Sequence, residues 1–198
     1  MRTSIDLTYS AHQPRDYSLT GPDTERAIAA GLAAIKWYHS DLSREKFKSL
    51  IQKKDAPALR DTAIWIALHF ILAANGIYFW GSWVAWPFWI AYGVVYGSAC
   101  DARWHECGHG TAFKTRWMNK VVYQIASFQI MRNPVLWKWS HVRHHTDTLI
   151  VGRDPEIAWM QPVGLVLKAL AFTGLVDTFD SIRNLARNAI GRFSDDEW

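Results

Sequence analysis

The feature that most constrains this fold is a stretch of 39 residues, 62–100, that contains no Lys, Arg, Asp or Glu. As one straight helix it would extend about 58 Å, roughly twice the hydrocarbon thickness of a bilayer. Because that length exceeds one crossing, the stretch predicts a helical hairpin that crosses a membrane twice. The turn is expected at residues 80–83, between spans at residues 62–79 and 84–99.

Aromatic residues support the membrane interpretation. The chain has 12 tryptophans, and Trp collects at the two membrane–water interfaces. Those near the charge-free stretch are Trp65, Trp80, Trp83, Trp86, Trp89 and Trp104. Trp as core filler of a soluble protein is the weaker alternative, since so many flank one apolar block. The 22 Lys and Arg against 18 acidic residues are scattered without a recognition module, so no nucleic-acid partner is expected.

The charges around the stretch predict its orientation. The turn has no positive charge, whereas both outer ends do. These flanking residues are Lys53, Lys54 and Arg60 before the stretch, and Arg103, Lys114, Arg116 and Lys120 after it. The positive-inside rule then predicts an integral, multi-pass protein with both termini cytoplasmic and the turn outside. His69 falls within the first span, where a satisfied polar residue of a helix bundle is more common than a functional group.

The rest of the chain predicts helices at the membrane surface. Residues 1–60 are expected to form a cytoplasmic N-terminal region with one or two amphipathic helices, the first capped by Asp23 or Thr24. Residues 61–198 form the second region, in which residues 157–176 predict an interfacial helix. The expected fold class is therefore an all-α membrane protein, a transmembrane hairpin with cytoplasmic or interfacial helices.

Five of the eight histidines fall into two short clusters. Box 1 is His105-Glu-Cys-Gly-His109, and box 2 is His141-Val-Arg-His144-His145. Spacings of three and four residues place the imidazoles of each box on one side of a helix. Histidines that are merely frequent on surface helices would explain one isolated pair, but explain two such clusters poorly. The boxes therefore predict a metal site at the cytoplasmic membrane surface.

Ligand type and number narrow the choice of metal only partly. Imidazole suits iron, copper, zinc and nickel. Five histidines exceed the three protein ligands of a usual catalytic zinc site, which favours two metals or one larger cage. Cys107 is a poor ligand candidate because it points away from His105 and His109. Box 1 also fits the His-Glu-x-x-His pattern of a membrane-embedded zinc protease, with Glu106 activating water. That alternative leaves box 2 unexplained, and a non-catalytic or degenerate metal-binding membrane protein is a third possibility.

The two boxes, together with Asp154-Pro-Glu156, resemble the first two histidine boxes of the integral-membrane fatty acid desaturases over roughly residues 60–175. The resemblance implies two non-haem irons at the cytosolic membrane face and O2 as co-substrate. It also implies a fatty acyl lipid substrate in the bilayer, which loses two hydrogens, whereas related members hydroxylate. The implied electron donor is a ferredoxin-, rubredoxin- or cytochrome b5-like protein.

By motif match, the resemblance implies iron ligation by the histidines of both boxes, which are His105, His109, His141, His144 and His145. It suggests that Glu106, Asp147 and Asp154 orient imidazoles through their second nitrogen. The family also carries a third box after a second transmembrane hairpin, and no histidine follows His145 here. The sequence resembles the first half of a desaturase, so we expect these 198 residues alone neither to hold two irons tightly nor to turn over.

Overall fold

A computed structural model of the protein describes residues 16–19, 21–34, 38–100, 102–157 and 163–192. Every regular element in these ranges is helical, as the sequence predicts. The helices are α1 Pro22–Ala29, α2 Arg44–Leu50, α3 Asp55–Tyr78, α4 Ala85–Gly97, α5 Arg116–Gln129, α6 Pro134–Asp147, α7 Leu165–Phe172 and α8 Leu175–Ala189. Short 3-10 turns lie at Leu32–Ala34 and Ser98–Cys100, and a π-helical turn lies at Ala102–Glu106.

The chain divides into two compact units. The hairpin unit is Ser40–Pro134, and the terminal unit combines Met1–His39 with Val135–Trp198. Box 1 therefore belongs to the hairpin unit, whereas box 2 belongs to the terminal unit. The functional division at residue 60 stays a prediction, and residues 1–15 of the predicted N-terminal region lie outside the described residues.

In the hairpin unit, α3 and α4 pack against each other in opposite directions. Near the connection, the Phe79 and Phe88 rings stack with centroids 5.7 Å apart. Toward the other end, the indole Nε1 of Trp65 donates to the carbonyl of Val95 at 3.2 Å. The connection includes the predicted turn residues, and Gly81 there has φ +83°, a conformation that side chains strain to adopt.

One segment has the length and composition of a membrane-spanning helix. Among the described residues, only Arg44–Tyr78 is long and apolar enough to cross a membrane, with a mean hydropathy of 1.2. Just 6% of its apolar window is buried inside the protein, and Phe70 is 73% exposed. The segment is thus unlike the core helix of a soluble protein. Since α4 has 13 residues, a second crossing stays a prediction.

The close approach of α3 to α4 depends on Gly76. A Cβ atom built at this residue would lie 2.7 Å from Cε2 of Trp89, nearer than real Cβ contacts come. Gly93, on α4, is different because nothing lies within 4 Å of its Cβ position. The two glycines therefore form a matched pair, one required by packing and one not.

We expect Gly76→Ala to lower the stability of the hairpin unit by about 1–3 kcal/mol, because the Trp89 ring must shift away from α3. Gly93→Ala should be neutral or stabilising by up to about 1 kcal/mol, since alanine is the better helix former. Thermal unfolding of both variants in detergent micelles checks the difference. Equal stability of the two variants would contradict the tight contact.

His69 joins this hairpin to α5. Its Nδ1 lies 2.8 Å from the carbonyl of Trp65, which can only accept, so Nδ1 carries the proton. Its Nε2 accepts from the side-chain amide of Gln129 at 2.9 Å. The ring is thus a satisfied polar group, which agrees with the more common of the two roles considered for it.

Two helix boundaries differ from the sequence predictions. Helix α1 begins at Pro22 after Gly21, so the predicted cap at Asp23 or Thr24 is wrong. Proline suits this first position because its missing N–H would be unpaired there anyway. The single helix predicted at 157–176 is also wrong, since Gly174 at φ +70° separates α7 from α8. Residues 158–162 of that prediction lie outside the described residues.

Candidate metal centre

Box 1 begins on a π-helical turn, which the spacing of its histidines does not predict. The turn spans Ala102–Glu106, and the amide of His109 then donates to the carbonyl of His105 at 3.1 Å. The rings of His105 and His109 are 5.0 Å apart between centroids. Each offers a ring nitrogen within 4.8 Å of the other. Because π turns occur often at functional sites, the distortion fits a ligand-bearing segment.

Box 1 rests on Tyr123 of α5. Trp104 is 4% exposed, and its ring lies 6.0 Å from that of Tyr123. A Cβ atom at Gly108 would lie 3.1 Å from the Tyr123 ring, so a residue without a side chain suits this position in the box. The Tyr123 hydroxyl donates to the carbonyl of Pro134, where α6 begins, at 2.7 Å. Burial raises the pKa of Tyr123, which keeps the hydroxyl protonated as a donor.

Cys107 and Glu106, the residues between the box 1 histidines, differ in environment. Burial, with a smaller contribution from Glu106, raises the pKa of Cys107 to about 11. Metals bind the thiolate, so the raised pKa disfavours Cys107 as a ligand. Glu106 is exposed, and its carbonyl accepts from the amide of Thr111 at 2.9 Å. Its carboxylate bonds no histidine within the described residues.

The segment before α3 fixes the loop that follows box 1. The Lys53 ammonium donates to the carbonyl of Gly110 at 2.7 Å. The Asp55 carboxylate accepts from both the amide and the hydroxyl of Thr115, at 2.9 and 2.7 Å. Thr115 immediately precedes α5, so these bonds place box 1 and α5 relative to α3.

Box 2 occupies the last two turns of α6 in the terminal unit. His141 is buried at 7% exposure, His144 is half-buried and His145 is exposed. The Nε2 atoms of His141 and His145 lie 3.1 Å apart. The His144 ring lies 5.7 Å from that of His141 and 5.6 Å from that of His145. The helix therefore brings the three imidazoles together, as the spacing predicts.

Two carboxylates from the segment after α6 bond the other ring nitrogens. Glu156 Oε1 lies 2.5 Å from Nδ1 of His141. Asp154 is fully buried, and its two oxygens lie 2.9 and 3.0 Å from Nδ1 of His144. Asp147, the third residue considered for this role, instead pairs with Arg153 at 3.2 Å.

These bonds prepare the imidazoles as ligands. A carboxylate acceptor places the proton on Nδ1, which makes Nε2 the nitrogen whose lone pair can bind a metal. In His141, that Nε2 faces Nε2 of His145 at a distance that two ligands of one metal can adopt. The donor set of imidazoles backed by carboxylates fits iron, for which imidazole is a suitable ligand.

The loop holding the two carboxylates is compact. Asp154 also accepts from the amides of Leu149 and Glu156, at 2.8 and 2.9 Å. Leu149 has φ +62° and Gly152 has φ +71°, two left-handed conformations within four residues. A non-glycine residue such as Leu149 adopts this conformation only when the surrounding bonds enforce it.

A comparison with protein families decides the family. The model of the fatty acid desaturase family matches residues 81–194, more than half of the chain. The chain belongs to the fatty acid desaturase family. The matched range includes both boxes and the segment carrying Asp154 and Glu156. The protease alternative accounts for box 1 but not for box 2 or this segment.

Individual plant enzymes are similar over part of the chain. An endoplasmic reticulum omega-6 fatty acid desaturase of Brassica juncea is 36% identical over 74 residues, 37% of this chain and 19% of that enzyme. A chloroplastic sn-2 acyl-lipid omega-3 desaturase (ferredoxin) of Arabidopsis thaliana is 33% identical over 81 residues, 40% of this chain and 18% of that enzyme. The matches thus span about a fifth of these relatives' length. No solved structure matches the chain.

Three site residues were missed by the sequence analysis. Glu156 could have been found, since it ends the Asp154-Pro-Glu156 motif, but its role was not assigned. Tyr123 carries no signal in an apolar helix pattern, because its importance comes from Gly108 and Pro134, which are distant in sequence. Thr24 was read only as a helix cap, and its bond is to Gly152.

Proposed function

We propose that this chain supplies two histidine boxes to the di-iron centre of a membrane-bound, oxygen-dependent fatty acyl lipid desaturase. The observation that carries the proposal is the arrangement in box 2, where Glu156 and Asp154 bond Nδ1 of His141 and His144. Membership of the fatty acid desaturase family supports the reaction class. A surface histidine cluster without function would not need a fully buried aspartate and a second carboxylate behind its rings.

In this proposal, His105, His109, His141, His144 and His145 are the ligands, and the two boxes converge on one centre. Asp154 and Glu156 fix the ring orientation and the tautomer of their histidines. The two irons, when bound, would supply the activation of O2 that removal of hydrogen from an unactivated C–H bond requires. The Tyr123 ring packs against Gly108 of box 1, and its hydroxyl bonds the carbonyl of Pro134, the first residue of α6.

The bilayer is the proposed environment of both enzyme and substrate. The exposed apolar side chains of α3 and α4, such as Phe70, Ile77 and Ile90, suit contact with lipid. We propose two crossings, with both termini and both boxes on the cytoplasmic side. A ferredoxin-, rubredoxin- or cytochrome b5-like protein would supply electrons, and the name of the Arabidopsis relative includes ferredoxin.

The metal content of the purified protein tests this proposal. The chain is expressed in iron-supplemented, zinc-depleted medium, purified in detergent and analysed for both metals. We expect iron to be bound below two equivalents per chain, and His105→Ala and His141→Ala each to remove most of it, because in this proposal both boxes serve one centre. His39→Ala is the matched control, since His39 is exposed and lies in neither box.

Two outcomes would count against the proposal. Iron retained by both box variants would show that the histidines are not ligands. Zinc held by box 1 and lost only in His105→Ala and His109→Ala would instead support the zinc-protease alternative, in which box 2 has no part.

A further inference from the structure

Helix α1 lies against the loop that follows box 2. The Thr24 hydroxyl donates to the carbonyl of Gly152 at 2.5 Å, across 128 residues of sequence. Carbonyls of Ser18 and Leu19 also lie within 3.4 and 3.2 Å of this hydroxyl. Because a hydroxyl has one proton, the shorter contact to Gly152 is the dominant bond.

The backbone of Gly152 also packs closely against Thr24. A Cβ atom at Gly152 would lie 2.2 Å from the Thr24 hydroxyl oxygen and 2.7 Å from the Thr24 amide nitrogen. No side chain fits there, and φ of +71° disfavours one independently. Glycine at residue 152 thus lets the backbone of the loop touch α1 directly.

The position of α1 is itself fixed by local bonds. The Asp23 carboxylate is buried at 6% exposure and accepts from the amide of Asp16 at 3.0 Å. The other oxygen of Asp23 accepts from the Arg26 guanidinium at 3.1 Å. The amide of Thr24 donates to the carbonyl of Gly21 at 3.1 Å. These contacts hold Thr24 at the first turn of the helix, facing the loop.

Gly152 is two residues from Asp154 and four from Glu156. Between α6 and these carboxylates the chain makes turns closed by the amides of Arg153 and Asp154, both of which donate to the carbonyl of Ile150. These bonds connect Gly152 to the turn that ends at Asp154. Any displacement of Gly152 is therefore passed on to the carboxylates that bond His141 and His144.

We propose that Thr24 is a positioning residue for box 2. Its hydroxyl, bonded to the carbonyl of Gly152, holds residues 148–156 where Asp154 meets Nδ1 of His144 and Glu156 meets Nδ1 of His141. The effect of Thr24 on metal affinity rests on the proposed function. The contact with Gly152 and its effect on the loop do not depend on iron.

Thr24→Val and Thr24→Ser separate the hydroxyl from the shape of the side chain. Valine keeps the size of threonine and removes the donor, whereas serine keeps the donor. Thr178→Val, at an exposed residue of α8, is the matched control for the substitution itself. All variants are made in the full chain and purified in detergent without metal.

The first readout is hydrogen–deuterium exchange of peptides covering residues 148–157, which contain the amides that donate to Asp154. In Thr24→Val we expect exchange there to rise about fivefold, the effect of losing one modest hydrogen bond. Thr24→Ser and Thr178→Val should match the parent protein, and peptides from α8 should be unchanged in every variant. If Thr24→Val instead unfolds the terminal unit, recovery in Thr24→Ser still assigns the effect to the hydroxyl.

The second readout is Co²⁺ affinity, followed by the visible absorption of the bound ion. Thr24→Val should weaken binding about threefold to tenfold, less than the loss of a carboxylate that touches a ligand. Unchanged exchange at 148–157 in Thr24→Val, or equal effects of valine and serine, would overturn the positioning role. Altered exchange with no Co²⁺ binding by any variant, the parent included, would support the contact and count against the proposed function instead.

Discussion

Replacing Asp154 with alanine should weaken metal binding by about 10–100-fold, the usual cost of removing a carboxylate that orients a ligating histidine. Asp154 is fully buried and accepts from Nδ1 of His144 and from the amides of Leu149 and Glu156. Without it, each of these donors loses its acceptor at about 1–3 kcal/mol apiece. The His144 ring can then rotate or change tautomer, and Glu156 loses the bond that positions it. Titration of the metal-free protein with Co²⁺ measures the loss.

Two further variants make this result specific. Asp154→Asn keeps the shape of the side chain and one acceptor oxygen, but its amide N–H group would face one of the donors that now bond Asp154. We therefore expect its Co²⁺ affinity to lie between that of the parent protein and that of Asp154→Ala. Asp180→Ala removes an aspartate that pairs with Arg183 on α8 and touches no histidine, and its affinity should equal that of the parent. Parent-like affinity in Asp154→Ala would mean that His144 does not need the carboxylate.

The class of the fold follows from the sequence because it depends on local patterns. Apolar runs bounded by charge predict helices, and α6 begins at Pro134, a position in a helix that proline favours. The exceptions are also physical. The N-terminal signal at Asp23 and Thr24 has two explanations, a cap or a tertiary contact, and spacing alone does not distinguish them. Gly174 could have been read as the end of α7, since glycine readily adopts positive φ.

The histidine clusters of the candidate site were predictable from the sequence, and their geometry was less so. Box 2 spacing correctly brings His141, His144 and His145 together on α6. Box 1 spacing likewise brings the ring nitrogens of His105 and His109 within 4.8 Å, but the π turn on which the box begins is not predicted by that spacing. The partners of the carboxylates also depend on tertiary structure. The turns after α6 place Asp154 against His144, whereas Asp147 pairs with Arg153.

Residues 1–198 alone should show no desaturation of acyl substrates when supplied with reductant and O2, and should bind iron below the two equivalents of a complete centre. The five box histidines are too few to fill the coordination of two irons, so open positions would be taken by water and the metal would be lost readily. Product analysis by mass spectrometry and iron analysis of the same sample check the two parts of this prediction.

The need to enclose the substrate is a second, independent reason to expect no desaturation by residues 1–198 alone. An acyl chain must be held with its reacting carbons close to the centre and away from water. One hairpin exposes its apolar side chains, such as Phe70 at 73%, and cannot surround a lipid tail on all sides.

Co-expression with the carboxyl-terminal part of a related desaturase, which carries the third box, should therefore restore activity. His144→Ala should then abolish it, whereas His39→Ala should not. Robust turnover by residues 1–198 alone would refute the half-site argument and require other side chains, such as His69 or nearby carboxylates, to complete the coordination.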